Sequence, residues 1–132
     1  MNLLLDTHTL IWSAMDPGRL SGSAREAIID RKNSVHVSVI SFFEISLKFS
    51  TGRLGLKGVL PDDFPKLSSE MGFSIQELSP ETVSTFYKLP KTDNKDPFER
   101  LIAWDAIKSG MILVTCDKCF ESYSKFGLRT LW

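Results

Sequence analysis

Hydrophobic positions along this chain come in short runs separated by helical spacings. Residues 2–5 (Asn-Leu-Leu-Leu) form an apolar run closed by Asp6. Residues 111–115 (Met-Ile-Leu-Val-Thr) form a second, with Asp117 just beyond it. Uninterrupted runs of this length predict strands buried on both faces, as in a parallel sheet. Residues 35–39 (Val-His-Val-Ser-Val) alternate and are β-branched, which also predicts a strand. Shorter strands are expected at 73–75 and 128–131. Helical spacing fills the intervals at about 7–14, 22–31, 40–51, 61–70, 80–88 and 96–109, with a short helix at 118–124. Ser21 caps the second of these, with Ala24, Ala27 and Ile28 on its inner face. The helix at 96–109 carries the fullest set of signals: Asp96 fits the N-cap, Pro97 the first position, Glu99 the third, and Gly110 the terminator. Alternating strands and helices predict an α/β domain with a parallel sheet, helices on both faces and right-handed crossovers.

Composition narrows the class. A chain of 132 residues is expected to be one domain, 1–132, large enough to fold without a disulfide or a structural metal. Hydrophobic residues at 42% and charged residues at 24% are globular proportions and exclude a disordered chain. No apolar run reaches the roughly 18 residues of a membrane helix. The start, Met1 to Asp6, lacks the basic lead and long apolar core of a signal peptide. Two cysteines are too few for a disulfide scaffold, so a reducing cytoplasm is the expected compartment. Lys and Arg number 16, as do Asp and Glu, so overall charge does not predict a nucleic-acid partner, though it leaves room for local patches.

The candidate chemistry is carboxylate chemistry. Asp6 and Asp117 follow the ends of two predicted parallel strands, where crevices form in open α/β sheets. Glu44 lies within a helix among Ile40, Phe43 and Leu47, where a carboxylate has no capping use. Asp96 and Glu99 stand on the first turn of another helix. Converging carboxylates repel unless a cation neutralises them, and oxygen donors favour Mg²⁺ or Mn²⁺. Such a site suits hydrolysis of a phosphodiester. Plainer uses exist for each acid. Asp6 and Asp117 can cap the segments that follow them, Asp96 with Glu99 matches a capping box, and Glu44 can pair with Lys48 one turn on. Asp93 and Asp105 read as surface acids.

Four ordered blocks add a resemblance that spans essentially the whole chain. They are Leu3-Leu4-Leu5-Asp6-Thr7-His8-Thr9-Leu10-Ile11-Trp12, then Val37 to Ile45 carrying Glu44, then Leu89-Pro90 leading to Asp96-Pro97-Phe98-Glu99-Arg100-Leu101-Ile102, and Leu113-Val114-Thr115-Cys116-Asp117. With the closing Leu131-Trp132, they resemble the PIN-domain family, and within it the VapC-like ribonuclease toxins of bacterial toxin–antitoxin systems. The resemblance implies a three-layer α/β/α sandwich around a mostly parallel sheet. It implies an endoribonuclease acting on single-stranded RNA with Mg²⁺ or Mn²⁺ held by Asp6, Glu44, Asp117 and an acid of the third block, Asp96 or Glu99. The second acid of that block is usually Asp; here it is Glu99, one methylene longer. Thr7 and Thr115 are candidates for orienting carboxylates or a water. A homodimer and a small antitoxin whose C-terminal segment covers the cleft are further implications.

Other features admit other functions. Lys48, Arg53 and Lys57, with Arg100 of the third block, are candidates for RNA phosphates. Trp12, Phe42 and Phe43 are candidates for base stacking, or for packing in the core or against a partner. Cys116-Asp117-Lys118-Cys119 has the local setting of a thiol redox motif, yet the elements that complete a thioredoxin-like fold do not follow it. A zinc site there has only His8 and His36 as further soft ligands. His36 reads as a strand-face residue and His8 as first-turn packing. A non-catalytic module using the same cleft for binding is the alternative to an enzyme, although unneutralised acids repel phosphate.

Overall fold

The computed structural model describes residues 1–132. Five strands form one parallel sheet: β1 (Asn2–Leu5), β2 (Ser34–Ser38), β3 (Ser74–Gln76), β4 (Ile112–Val114) and β5 (Arg129–Leu131), in the order β3-β2-β1-β4-β5. Six α-helices connect them: α1 (Thr7–Met15), α2 (Gly22–Ile29), α3 (Val39–Ser50), α4 (Phe64–Glu70), α5 (Pro80–Ser84) and α6 (Pro97–Ser109). The chain steps from β1 through β2 to β3, then crosses back to lay β4 on the other side of β1. That reversal opens a crevice beyond the ends of β1 and β4.

The strand alternation explains the two cores. Leu3 and Leu5 of β1, with Val35, Val37 and Val114, pack against Leu10, Ala24, Ile45 and Phe64 from α1 to α4. Leu4 and Leu113 point the other way and pack against Ile102, Ala103 and Ala106 of α6, with Phe120 and Tyr123. Successive strand side chains take opposite faces, so a strand covered on both sides must be apolar throughout. Leu3, Leu4 and Leu5 are all fully buried, and each such burial is worth roughly 1.5–3 kcal/mol. The expected α/β/α layering is therefore the observed one.

Several boundaries move, each for a local reason. The second strand ends at Ser38, whose hydroxyl accepts from the Ile40 N–H at 3.1 Å and starts α3 at Val39. The third strand shifts by one residue, to Ser74–Gln76, because Phe73 is drawn into the core and its N–H is held by the Ser68 carbonyl. The segment 80–88 divides into α5 and a single 3₁₀ turn, Phe86–Lys88. Residues 118–124 form 3₁₀ structure running on to Phe126. Ser21 caps α2 and Asp96 caps α6. Gly110 closes α6 at φ 66°, a left-handed conformation that glycine adopts without a Cβ penalty.

Candidate active site

Asp6 follows β1 directly, and its carboxylate caps α1 by accepting from the Thr9 N–H at 2.7 Å. Asp117 lies beyond β4 and caps the following 3₁₀ segment by accepting from Cys119 N–H at 3.0 Å. The plainer uses foreseen for both acids are therefore real, and they also aim the acids. A helix that starts at the end of a parallel strand turns its cap residue toward the crevice. Asp6, Glu44, Glu99 and Asp117 line one cleft there, with Thr7, His8, Ile102 and Phe120.

Hydroxyls tie these acids together. Thr115 Oγ1 donates to Asp6 Oδ2 and accepts from the Asp117 N–H at 3.0 Å, so one side chain links the ends of β1 and β4. Thr7 Oγ1 donates to Glu44 Oε1 at 2.6 Å and lies 3.1 Å from Ser41 Oγ. Glu44 Oε2 accepts from Lys48 Nζ. The pairing with Lys48 one turn on is therefore present, but on a buried carboxylate: Glu44 is 3% exposed.

The third block behaves differently from a capping box. Asp96 does cap α6, accepting from Phe98 N–H at 2.9 Å and Glu99 N–H at 3.2 Å. The Asp96 N–H, which a box would give to Glu99, donates to Asn94 Oδ1 instead. Glu99 is left free to reach across the cleft, where Cys119 Sγ donates to its Oε2 at 3.1 Å. Oxygen atoms of Glu99 and Asp117 and the sulfur of Cys119 all lie within 4.8 Å of one another.

Burial sets the electrostatics. Loss of solvent raises the Asp6 carboxyl above its usual range, although hydrogen bonds from Thr115 and Thr9 and the charge of His8 oppose the rise. Desolvation also raises Glu99, and the charges of Asp96 and Asp117 raise it further. Partial burial works against the Lys48 ammonium, but the hydrogen bond and charge of Glu44, with Asp96 and Glu99, more than offset it and hold its pKa up. The cleft thus has more negative charge than its one lysine balances. Converging carboxylates, Asp6 and Glu44 buried and Glu99 half-buried, fit a hard divalent cation.

Comparison with known proteins decides the family. The PIN domain family matches residues 3–125. Ribonuclease VapC22 of Mycobacterium tuberculosis is 30% identical over 130 residues, covering 98% of each chain. The chain belongs to the PIN-domain family. The fold agrees with VapBC2 from Rickettsia felis bound to a DNA fragment from its promoter, at TM-score 0.65 and 16% identity over 99% of this chain and 98% of that one. It agrees also with VapBC-1 from nontypeable Haemophilus influenzae, at TM-score 0.64 and 13% identity over 99% and 97%.

Around the cleft of this PIN domain, the basic candidates separate. Lys48 faces the acids. Arg53 is exposed on the loop after α3. The guanidinium of Arg100 is engaged with the Leu89 carbonyl at 3.3 Å and the Tyr123 hydroxyl at 3.3 Å, and lies 5.5 Å from the Phe86 ring. That geometry makes it a brace between α6 and the segment before it. A hollow next to the cleft, sharing His8 with it, is lined by Trp12, Arg19, Leu54 and Lys57. Arg19 lies over the Trp12 ring at 4.9 Å, and Trp12 also packs on His8 and Trp132. Arg19 escaped the sequence reading because only the fold carries the 3₁₀ turn Pro17–Arg19 back to Trp12.

On the α3 side of the cleft, Phe43 meets Phe98 edge-on at 5.4 Å while remaining 62% exposed, and Leu47 is exposed beside it on α3. Phe42 packs against the core. The cysteines are both free thiols. Partial desolvation raises the exposed Cys116 thiol, and the charge of Asp6 adds to it. Burial raises Cys119 too, with Asp117 and Glu99 adding hydrogen bonds and charge. A redox motif needs a stabilised thiolate, and these surroundings oppose one. Asp105, read as a surface acid, is in fact buried at 2% exposure between α6 and β3. Its i+4 neighbour Ser109 and Gln76 of β3 supply its hydrogen bonds, a pairing that sequence spacing alone does not reveal.

Proposed function

We propose that residues 1–132 act as one PIN-like unit, a Mg²⁺- or Mn²⁺-dependent endoribonuclease that hydrolyses phosphodiester bonds of single-stranded RNA as the toxin of a toxin–antitoxin pair. The observation that carries this reading is the cleft itself: Asp6, Glu44, Glu99 and Asp117, from four separate segments, line one crevice at the reversal of a parallel sheet. The names of the relatives, a ribonuclease VapC and VapBC complexes, point the same way.

In this reading Asp6, Glu44, Glu99 and Asp117 hold the cation. Asp96 fixes the first turn of α6 beneath Glu99 and adds charge. When bound there, Mg²⁺ or Mn²⁺ supplies positive charge against the phosphate and makes an attacking water more acidic. Thr115 holds Asp6 and Asp117 in one mutual orientation, and Thr7 does the same for Glu44, so little side-chain freedom is lost when substrate arrives. Lys48 supplies a fixed positive charge beside the reacting phosphate. The strand of RNA extends from the acids over the hollow of Trp12, Arg19 and Lys57, where an aromatic face and two cations suit base and phosphate. The exposed Phe43 and Leu47 support a protein partner on the other rim, as a homodimer and an antitoxin segment require. No helix is long and apolar enough to cross a membrane.

The test is cleavage of a mixed single-stranded RNA pool by the purified protein. Cuts that need Mn²⁺ or Mg²⁺, stop with excess chelator and are absent from Asp6→Asn support the enzyme. RNA retained without cleavage, and unaffected by chelator, replaces it with a binding module.

A further inference from the structure

We propose that Cys119 is itself a ligand of the divalent ion in this cleft, which adds affinity for thiophilic ions to the Mg²⁺ and Mn²⁺ that the acids hold. The inference rests on the metal-site reading above and adds a sulfur to its donor set. Cys119 takes its place from the local fold. Asp117 caps the 3₁₀ segment through the Cys119 N–H, and that turn brings Sγ back beside Glu99 of the cleft. Asn94 Nδ2 donates to Sγ at 3.4 Å and helps hold it beside Glu99. Sγ then stands 3.1 Å from Glu99 Oε2, with Asp117 within the same 4.8 Å limit.

The longer arm of Glu99 completes this arrangement. An aspartate at 99 would end one methylene short of the sulfur. Glu99 and Cys119 therefore meet as one donor pair in this chain, across the 20 residues that separate them in sequence. A tetrahedral ion with bonds of roughly 2.0–2.3 Å can be shared by one sulfur and two carboxylates whose atoms are this close. When the S–metal bond forms, the S–H bond breaks and its proton passes to solvent. Mg²⁺ gains nothing from sulfur, whereas Co²⁺, Zn²⁺ and Cd²⁺ do. Cys116, three residues earlier, is exposed and lies outside the donor set, which makes it an internal control.

The experiment titrates the intact protein with Co²⁺ and follows the near-ultraviolet sulfur-to-cobalt charge-transfer band. Mn²⁺ binding is followed in parallel by its spin-resonance signal. The expected result is a stoichiometric band in the native protein and in Cys116→Ser, and none in Cys119→Ser. Cys119→Ala keeps the test valid if the serine variant does not fold, as circular dichroism will show. Both Cys119 variants should still bind Mn²⁺, while their preference for Zn²⁺ over Mg²⁺ falls by at least roughly tenfold. A band that survives in Cys119→Ser, or that is missing from native protein that binds Mn²⁺, overturns the sulfur ligand and leaves the oxygen site standing. Absence of both Co²⁺ and Mn²⁺ binding overturns the metal-site reading, and the sulfur ligand with it.

Discussion

Asp6 and Asp105 are both buried aspartates, 6% and 2% exposed, and burial is the largest influence raising the pKa of each. Their neighbourhoods differ. Asp6 stands at the reversal of the sheet with three other carboxylates, and each of its oxygens accepts a hydrogen bond, from Thr9 N–H and Thr115 Oγ1. Asp105 stands alone on α6 under the β3 edge. Its Oδ1 accepts from Gln76 and Ser109, and its Oδ2 has no partner. His36 Nε2, which lines the same polar hollow, has none either. The same residue type is thus buried twice, once in a shared and well-ordered cluster and once as an isolated, half-satisfied group. A cluster of ordered carboxylates gains from a cation. An isolated one only carries the cost of its burial.

Breaking Asp6 should have the largest effect. Asp6→Asn should lower RNA cleavage by more than the roughly ten- to hundredfold that the loss of a partner behind a ligand costs. The variant should remain folded, because asparagine also caps helices well; a rate assay beside a melting curve checks both. Next comes the hydroxyl that ties two acids together. Thr115→Val should reduce metal affinity by roughly tenfold or more and lower stability by about 1–2 kcal/mol, since Asp6 Oδ2 and the Asp117 N–H both lose a partner. Calorimetric metal titration and chemical denaturation measure the two effects.

Asp105→Asn sharpens the contrast from the other side. It should leave cleavage unchanged and stabilise the protein at pH 7 by on the order of 1 kcal/mol, the scale of one unsatisfied buried polar atom. The sign follows from proton binding. A carboxyl whose pKa is raised by folding binds its proton more tightly in the native state. The stability this gives is fully present below the unfolded value of 3.8 and is lost as pH rises through the folded value. The advantage of the asparagine should therefore be greatest above that window and vanish as pH approaches 3.8. A native protein whose stability relative to Asp105→Asn does not change with pH would refute the account. The smallest effect belongs to Cys116→Ser: an exposed thiol outside the donor set should change stability by less than about 0.5 kcal/mol.

Most of the fold was legible along the chain, because burial on both faces leaves a plain mark. The run Leu3-Leu4-Leu5 has no polar position for solvent, and Ser21, Asp96 and Gly110 carry their helix boundaries in their own chemistry. The boundaries that moved did so through contacts the sequence does not display. Phe73 left its strand for the core, and the 80–88 segment broke into α5 and a 3₁₀ turn. The acids of the site were legible as candidates, since Asp6 and Asp117 close two strand runs and Glu44 has no structural use within its helix. Their partners were less so. The spacing of Glu99 matches half of a capping box, but Asn94 takes the Asp96 N–H that would complete it.

Local chemistry therefore determined the elements, their caps and the identity of the acids, because those depend on neighbours within a turn or a strand. The tertiary fold alone decided which residues meet. Thr115 reaches Asp6 across 109 positions, and Glu99 reaches Cys119 across 20. Only the return of β4 alongside β1 brings Thr115 to Asp6, and only the packing of α6 against the 3₁₀ segment after β4 brings Glu99 to Cys119. The packing of α6 against β3 buried Asp105, which no spacing distinguishes from a solvated acid. Hydrogen-bond partners and desolvation are properties of that assembled surface, and they separate a carboxylate that can serve a cation from one that merely weakens the fold.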